Sequence, residues 1–381
     1  MIATDRLYLD WNATAPLWDG AREAVFEALS TVGNASSVHA EGRAARAMVE
    51  RVRRRLAERF GEPHDAVTFT SGGTEANATA LAPGVGRNGF AAERLIVSAV
   101  EHPAVLSGGR FAPSQVIVVP VTAEGVVALD ALEDALAKDG APALVSVMAA
   151  NNETGVVQPV ADVVRLAHDA GATVHTDAVQ AFGRIPDEAL AADLITISGH
   201  KVGAPLGVGA LIRRAGVTVP PLVKGGAQER GARAGTENIA AIAGFGAALD
   251  GPAADPGAWD ATRRARDGFE ERLLAEFEDS AVFGRAASRL PNTSLFAVAK
   301  VPAELSLIGL DLAGVAVSSG AACSSGRVSD SHVLTAMGVE TALAQAAVRA
   351  SVGPKDADVA FARFLVALKK VVVPMEANPI L

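Results

Sequence analysis

Short β-rich runs that alternate with Ala-rich amphipathic stretches constrain the fold of this chain more than any other feature of its sequence. The β-rich runs occupy 67–70, 94–99, 115–121, 143–150, 173–179 and 193–198. The stretches with helical periodicity are 21–29, 43–60, 129–138 and 160–170. Apolar strands joined by helical crossovers predict an α/β fold, in which a mostly parallel sheet is covered on both faces. Ligands of such folds gather beyond the carboxyl ends of the strands.

A Pro-, Gly- and Ala-rich segment at 251–259 predicts a domain boundary, because a long charged helix over 259–277 follows it. The rest of the chain is typical of a smaller α+β unit, with strands near 292–298 and 315–318 and a final amphipathic helix over 356–371. We therefore expect a large domain over 14–250. The smaller domain would combine residues 1–13 with 251–381.

The composition excludes several classes of protein. The 34 Lys and Arg against 43 Asp and Glu leave a net charge of -9, which would repel a nucleic acid backbone. No apolar run reaches the roughly 20 residues that cross a bilayer, and the first residues lack the apolar core of a secretion signal. A lone cysteine forms no internal disulfide, so we expect a cytoplasmic protein without a membrane partner. No metal site is predicted.

The segment VTFTSGGTEAN runs from a strand through Ser71, Gly72, Gly73 and Thr74 into a helix. Backbone N–H groups and a hydroxyl at a helix N-terminus bind phosphate well. Taken alone, the segment is equally typical of an ordinary capped turn between strand and helix.

Two further strands end in groups that suit a pyridoxal phosphate (PLP) site. Asp177 lies near the end of TVHTDAVQ, where a carboxylate among apolar neighbours needs a charged or hydrogen-bonding partner. Lys201 follows DLITIS in the tetrapeptide SGHK, and a partly desolvated lysine at a strand end can form a Schiff base. The order of phosphate turn, buried Asp and strand-end Lys predicts a PLP enzyme.

Seven blocks in this order resemble the NifS/IscS-type cysteine desulfurases, of PLP fold type I: SGGTEAN, EHPAV, NNETGVVQP, HTDAVQ, SGHK, GGAQERGARAGTEN and SSGAACSSG. The resemblance extends from YLDWNATAP at 8–16 to VRASVG at 348–353. It implies a large domain with a mostly parallel sheet between helices, a smaller α+β domain, and PLP as cofactor. It also implies that L-cysteine is converted to alanine while sulfur is transferred to an enzyme cysteine.

The resemblance assigns roles by motif. Lys201 resembles the Schiff-base lysine, Cys323 the sulfur-accepting thiol, and His102 the imidazole stacked on the cofactor ring and the proton carrier near the substrate thiol. The positions assigned to the cofactor are Gly73, Thr74, His102, Asn152, Asp177, Gln180, Ser198, His200, Lys201 and Thr236. Those assigned to the substrate are Asn152 and Arg349, whose fork would bind the carboxylate.

Partners follow from the same resemblance. Thr236 would reach the cofactor phosphate of a second subunit, which implies a homodimer with shared sites. Cys323 lies in a Gly/Ser-rich stretch, and a loop there would let a persulfide reach an acceptor protein such as an iron–sulfur scaffold. The sequence leaves the acceptor pathway open among nitrogenase, general iron–sulfur assembly and tRNA thiolation.

Other functions remain as alternatives. A selenocysteine lyase, or another PLP-dependent lyase or aminotransferase, would share the fold and cofactor, although transamination needs no thiol. A non-catalytic protein on the same scaffold would lack the lysine, the Asp or the cysteine. A dinucleotide enzyme is disfavoured because the only G-x-G-x-x-G, at 84–89, precedes a strand and not a helix.

Overall fold

A computed structural model of the chain describes residues 6–87, 89–138, 140–299, 301–319 and 331–377, the side chains of 374–377 excepted. The α-helices in chain order are α1 Asp19–Leu29, α2 Ala40–Arg59, α3 Gly73–Ala80, α4 Pro103–Leu106, α5 Leu129–Ala137, α6 Val160–Asp169, α7 Ile239–Ala248, α8 Asp260–Glu276, α9 Ala303–Leu312, α10 His332–Ala336, α11 Thr341–Ala344 and α12 Ala357–Ala377.

The strands are short, with two to six residues each. In chain order they are β1 Leu7–Tyr8, β2 Val67–Thr70, β3 Gly86–Arg87, β4 Phe90–Ala91, β5 Arg94–Ser98, β6 Val116–Val119, β7 Ala143–Ser146, β8 Thr173–Asp177, β9 Leu194–Ser198, β10 Gly209–Arg213, β11 Val217–Thr218, β12 Ser280–Val282, β13 Thr293–Val298, β14 Val315–Ala316 and β15 Ala347–Ser351.

A seven-stranded sheet forms the centre of the fold, in the order β2-β10-β9-β8-β7-β5-β6. The pairs from β9 to β6 are parallel, whereas β10 is antiparallel to both of its neighbours. Strands β5, β7, β8 and β9 are buried at every residue. Their complete burial fits a sheet that helices cover on both faces, as the alternation in the sequence predicts. The α/β architecture is confirmed.

The sequence missed strand β10. Residues 209–213 follow β9 after the segment 199–208, and their antiparallel pairing inserts them between β2 and β9. Alternating strands and helices predict that neighbouring strands are parallel. An antiparallel strand that returns beside β9 without a helix between them has no such pattern in the sequence. The glycine-rich segment at 84–89 contains β3, which forms a small antiparallel sheet with β4 and β11.

A second hydrophobic cluster lies beyond residue 260. The antiparallel sheet β12-β13-β15 packs with α8 and α12 around five phenylalanines, of which Phe269 stacks on Phe361 at 5.0 Å between ring centroids. The N-terminal strand β1 pairs in parallel with β14 and so belongs to the same side of the molecule. The division of the chain into two domains stays a prediction.

Within the described ranges, no helix combines the length and the apolar character that crossing a membrane requires.

Candidate active site

The polar residues that the sequence predicts for the site follow the carboxyl ends of β2, β5, β8 and β9. Ser71 begins the turn after β2, His102 follows β5, Asp177 is the last residue of β8, and Lys201 ends a 3-10 turn directly after β9. Since β5, β8 and β9 run in the same direction, these residues meet at one edge of the sheet.

The turn at the start of α3 is shaped by glycine. A Cβ on Gly73 would lie 2.7 Å from Val179 Cγ2, so only glycine fits there. Gly209 on β10 pairs with both Thr70 and Ser198, and a Cβ on it would lie 2.7 Å from the carbonyl carbon of Gly72. The missed strand β10 therefore lets the turn approach Ser198. Thr74 is solvent-exposed at the N-terminus of α3, where an anion would be stabilised.

Glu75 connects this turn to the segment that carries Thr236. Its carboxylate accepts a hydrogen bond from the N–H of Ser71 at 2.9 Å and from Arg233 Nε at 2.8 Å. Burial by itself raises the pKa of Glu75, but the bonds from Arg233 and Ser71 outweigh it and lower the pKa overall. Thr236 lies exposed shortly after Arg233. The turn and the Thr236 segment are thus held by one carboxylate.

Asp177 is 6% exposed and is oriented by neutral donors. Its Oδ2 accepts from Asn77 Nδ2 at 2.6 Å, and its Oδ1 accepts from the N–H of Val179 at 2.9 Å. In the described part of the chain no Lys or Arg pairs with it. A buried carboxylate oriented only by neutral groups can receive a cationic ligand atom.

The amine of Lys201 is held by the N-terminal segment. Its Nζ donates to the carbonyl oxygens of Asn12 at 2.5 Å and Ala13 at 2.9 Å. Burial, followed by the charges of Arg184 and Arg349, lowers the pKa of Lys201 to about 7 against the opposing effect of Asp177 and Asp10. A substantial fraction of this amine is uncharged at neutral pH, as a nucleophile or base requires.

His102 caps the short helix α4. Its Nδ1 accepts from the N–H of Ala104 at 3.1 Å, so in the neutral ring Nε2 carries the hydrogen. Burial lowers the pKa of His102, Asp177 opposes this, and Lys201 and His332 add to the lowering. The lowered pKa favours the neutral ring at physiological pH, and the charges of Asp177 and Lys201 act on it.

The predicted substrate clamp, Arg349 on β15, is 5% exposed and already has partners. Its Nη2 donates to Asp10 Oδ1 at 2.6 Å and its Nη1 to the carbonyl of Asn152 at 2.9 Å. Its Nε is buried without a hydrogen-bond partner. The guanidinium is thereby held in one orientation, and its Nε–H remains as a donor without a partner.

Asn12 joins these parts and was not predicted. Its carbonyl accepts from Gln180 Nε2 as well as from Lys201, its Oδ1 accepts from Arg184, and its Nδ2 donates to the carbonyl of Asn152. Sequence reasoning also missed Asn77, Asp10, Glu75 and Arg184. The position of Asn12 inside the block YLDWNATAP was the one available signal.

The structure brings eight of the predicted site residues together through the contacts, strand pairings and charges described above: His102, Asn152, Asp177, Gln180, Ser198, His200, Lys201 and Arg349. His200 belongs to this group because the charges of Lys201 and Arg184 act on its ring. Gly73 lies beside Ser198, with an ideal Cβ 3.6 Å from the Ser198 Cβ. Cys323 lies outside the described residues.

The aminotransferase class-V family model matches residues 7–358. The chain belongs to the aminotransferase class-V family. Within that family it is similar to a cysteine desulfurase of Cereibacter sphaeroides, at 43% identity over 91% of this chain and 90% of the relative. It is 40% identical to cysteine desulfurase IscS of Dictyoglomus turgidum, over 91% and 89% of the two chains.

Among solved structures, a NifS-like protein from Rickettsia africae superimposes with a TM-score of 0.87 at 33% identity, covering 97% of this chain and 99% of that one. The resemblance to NifS/IscS-type cysteine desulfurases and the PLP fold type I architecture are thereby confirmed.

Enzymes of this class-V family generally depend on PLP, and the residues at the sheet edge fit that group. Asp177 offers a buried carboxylate for a pyridinium nitrogen, and the glycine-shaped turn of α3 offers N–H groups for a phosphate. The Oδ1 of Asn77 is buried without a hydrogen-bond partner beside Asp177, which marks a polar site there.

Proposed function

We propose that this chain is a PLP-dependent cysteine desulfurase that converts L-cysteine to L-alanine and transfers the sulfur to its own Cys323. One observation carries the proposal: in a chain 43% identical to a cysteine desulfurase, the amine of Lys201 has a pKa near 7 and lies at the same sheet edge as the buried Asp177. A free amine and a buried carboxylate are the two groups that PLP chemistry requires of a protein.

The cofactor would be held by residues from three strand ends. Asp177 would bind its ring nitrogen, Gln180 and Asn152 would lie near its ring hydroxyl, and His102 would stack on the ring. The phosphate ligands we propose are Gly73, Thr74, Ser198 and His200, with Thr236 from a second subunit. Bound there, PLP supplies an electron sink for the carbanion at the substrate Cα.

The protein's own groups move the protons. The uncharged Nζ of Lys201 would accept the proton from the Cα of L-cysteine, since its pKa near 7 suits a base at neutral pH. Arg349 would hold the substrate carboxylate, using the Nε that has no protein partner. His102 would exchange the proton of the substrate thiol through Nε2, the nitrogen not engaged by the N–H of Ala104.

Cys323 would act as a nucleophile toward sulfur. Its Sγ would attack the substrate sulfur, so that an S–S bond forms while the Cβ–S bond breaks and its electron pair remains on Cβ. Protonation of Cβ then yields alanine. L-cysteine and a protein thiol become L-alanine and a protein persulfide, with every atom retained and no external oxidant or reductant.

We further propose a homodimer with shared sites, and a sulfur-acceptor protein such as an iron–sulfur scaffold as the destination of the persulfide. A reducing cytoplasm would keep the single cysteine available for this chemistry. Relatives that carry the names cysteine desulfurase and IscS support this placement in sulfur transfer.

The experiment is a comparison of Cys323→Ser with wild type and with Ser325→Ala, a neighbouring hydroxyl change that keeps the thiol. The Ser variant should bind PLP and L-cysteine and still exchange the substrate Cα proton with deuterium from solvent. Alanine formation should fall at least a hundredfold, because a neutral hydroxyl is a poor nucleophile toward sulfur. Intact mass should show one added sulfur on wild type and on Ser325→Ala, and none on Cys323→Ser.

Undiminished release of alanine and sulfide by Cys323→Ser would overturn the sulfur-transfer proposal and indicate lyase chemistry on the same fold. Loss of Cα proton exchange in that variant would also contradict the proposal, because Lys201, and not Cys323, is proposed to accept the Cα proton.

A further inference from the structure

Arg184 is a buried cation to which neither the family blocks nor the proposed mechanism assigns a role. It is 1% exposed and follows the turn after β8, where a Cβ on Gly183 would lie 2.6 Å from the carbonyl oxygen of Ala253 and Trp259 Nε1 donates to the carbonyl of Gly183 at 2.8 Å. Close packing of this turn leaves the guanidinium no route to solvent.

The partners of Arg184 are all neutral. Its Nη1 donates to Asn12 Oδ1 at 3.0 Å and to Gln180 Oε1 at 2.5 Å, while Nε and Nη2 are buried without a hydrogen-bond partner. Among the described residues no carboxylate lies within ion-pair distance of it. A buried charge left in this condition costs free energy, so its presence calls for an explanation other than stability.

Other buried arginines of this chain show what a structural arrangement looks like. Arg53 pairs with Glu229, and Arg289 pairs with Glu270. Arg94 lacks a carboxylate, but its guanidinium donates to the carbonyl oxygens of Ala135, Leu136 and Ala141 around the end of α5. Arg184 has no carboxylate partner and only one carbonyl bond, from Nη1 to the backbone oxygen of Gln180 at 3.2 Å, and its guanidinium lies 5.8 Å from the centroid of the Trp259 ring. Its charge is therefore less well compensated than those of Arg53, Arg289 and Arg94.

The contacts of Arg184 lead directly to Lys201. Arginine only donates, so its bond to Gln180 Oε1 turns the Gln180 amide with Nε2 toward the carbonyl of Asn12, at 2.9 Å. That carbonyl also accepts from Lys201 Nζ at 2.5 Å. The guanidinium and the amine are thus separated by the side chain of Gln180 and the backbone of Asn12.

We propose that Arg184 is a positioning residue whose positive charge, which no carboxylate of the described residues neutralises, keeps the amine of Lys201 uncharged in the cofactor-free site. The pKa shifts of both groups agree with this role. Burial and the nearby Arg349 lower the pKa of Arg184 itself to about 9. After burial, the charge of Arg184 contributes more than any other charge to the lowered pKa of Lys201. The charged and titratable groups around Lys201 are Asp10, His102, Asp177, Arg184, His200 and Arg349. The inference rests on the proposed role of Lys201 as the reacting amine.

The test measures the protonation of Lys201 in the full chain stripped of PLP. Trace acetylation with acetic anhydride across pH 5–10, read by peptide mass with Lys224 as internal reference, gives the midpoint at which Lys201 becomes reactive. Arg184→Met should raise this midpoint by about one unit, because a like charge has been removed. Arg184→Lys keeps the charge and should leave the midpoint within about 0.3 units of wild type.

Two further variants make the result decisive. Arg94→Met removes a buried guanidinium elsewhere and should leave the midpoint of Lys201 unchanged; an equal shift there would mean general loosening and overturn the proposal. Gln180→Glu gives Arg184 a carboxylate partner without deleting it, and should also raise the midpoint. This variant also brings a carboxylate close to Lys201, which raises the midpoint by itself, so its result supports the proposal only together with a variant that removes the charge of Arg184. If Arg184→Met does not fold, Arg184→Gln removes the same charge and takes its place.

An unchanged midpoint in folded Arg184→Met or Gln180→Glu would overturn the inference. No substrate or turnover enters the measurement, so failure of the desulfurase proposal would be seen separately, in the Cys323 experiment.

Discussion

Asn77 and Asp177 are joined by a hydrogen bond of 2.6 Å between Nδ2 and Oδ2, which connects helix α3, at the phosphate turn, to the end of the central strand β8. The bond couples two parts of the proposed cofactor site that lie 100 residues apart in sequence. With the N–H of Val179 bound to Oδ1, each carboxylate oxygen of Asp177 accepts one hydrogen bond and keeps a lone pair for a further donor.

Replacement of Asn77 by Leu should weaken PLP binding by about tenfold to a hundredfold, because a charge-assisted hydrogen bond contributes about 1.5–3 kcal/mol. Equilibrium dialysis with PLP measures this. Thr79→Val is the matched control, since Thr79 lies on the same helix, is equally buried, and donates only to the carbonyl of Glu75. Equal affinities of the two variants would contradict the proposed role of Asn77.

The pair of Asp10 and Arg349 should control substrate binding. Asp10→Ala releases Nη2 of Arg349, so we expect KM for L-cysteine to rise about tenfold while kcat changes less. Asp10→Asn retains an oxygen that accepts from Nη2 and should recover most of the affinity. Steady-state alanine formation is the measurement, and an unaltered KM in Asp10→Ala would show that Arg349 does not depend on Asp10.

The buried ion pair of Arg53 and Glu229 should stabilise the fold strongly. Glu229 also accepts from the N–H of Phe69, and its side chain is 2% exposed. Glu229→Gln leaves the buried charge of Arg53 with Glu50 as its remaining carboxylate partner, 3.0 Å from Nε, and should lower the free energy of unfolding by about 3 kcal/mol. Urea denaturation tests this, with Asp250→Asn as control because its pair with Arg55 is exposed and should contribute less than about 1 kcal/mol.

Acid should destabilise the protein in part through His175. Burial lowers the pKa of His175 to about 3, and its ring contacts only the hydroxyls of Ser146 and Thr196. Between pH 6.5 and 3 the unfolded chain therefore binds a proton that the folded chain does not, so the free energy of unfolding falls as pH falls. His175→Gln should reduce this slope by up to about 1.4 kcal/mol per pH unit in urea titrations, and an unchanged slope would count against a neutral buried ring.

Shared sites predict complementation between two inactive variants. A mixed dimer of Thr236→Ala and Lys201→Ala subunits would have one site with both defects and one with neither, if Thr236 serves the partner's cofactor. Activity above that of either parent, measured after verified subunit exchange, is the expected result. Exchange without any recovery would place Thr236 in its own subunit's site or outside the site altogether.

Much of the site could be predicted because its residues end strands. Asp177, Ser198 and Lys201 follow apolar β-branched runs, and parallel strands bring their carboxyl ends to one edge irrespective of loop detail. Gly73 was informative for a related reason, since the close approach of the turn to Val179 admits no Cβ there.

The residues that sequence reasoning missed act across long separations. Asp10 and Asn12 reach Arg349 and Gln180 from the N-terminal segment, and Arg184 reaches both Asn12 and Gln180 from the core. An Asp, an Asn or an Arg has no periodicity that reveals its partner, so such pairs appear only once the chain is folded.

Alternating strands and helices by themselves determined the α/β class, and the strand-end Asp and Lys determined the kind of cofactor chemistry to expect, because hydrophobic period and strand direction are local properties. Only the tertiary structure decided that an antiparallel strand, β10, inserts between β2 and β9 and brings the phosphate turn to Ser198. It alone also decided that the amine of Lys201 is buried and lies near Arg184 and Arg349; burial first, and then these two charges, lower its pKa to about 7.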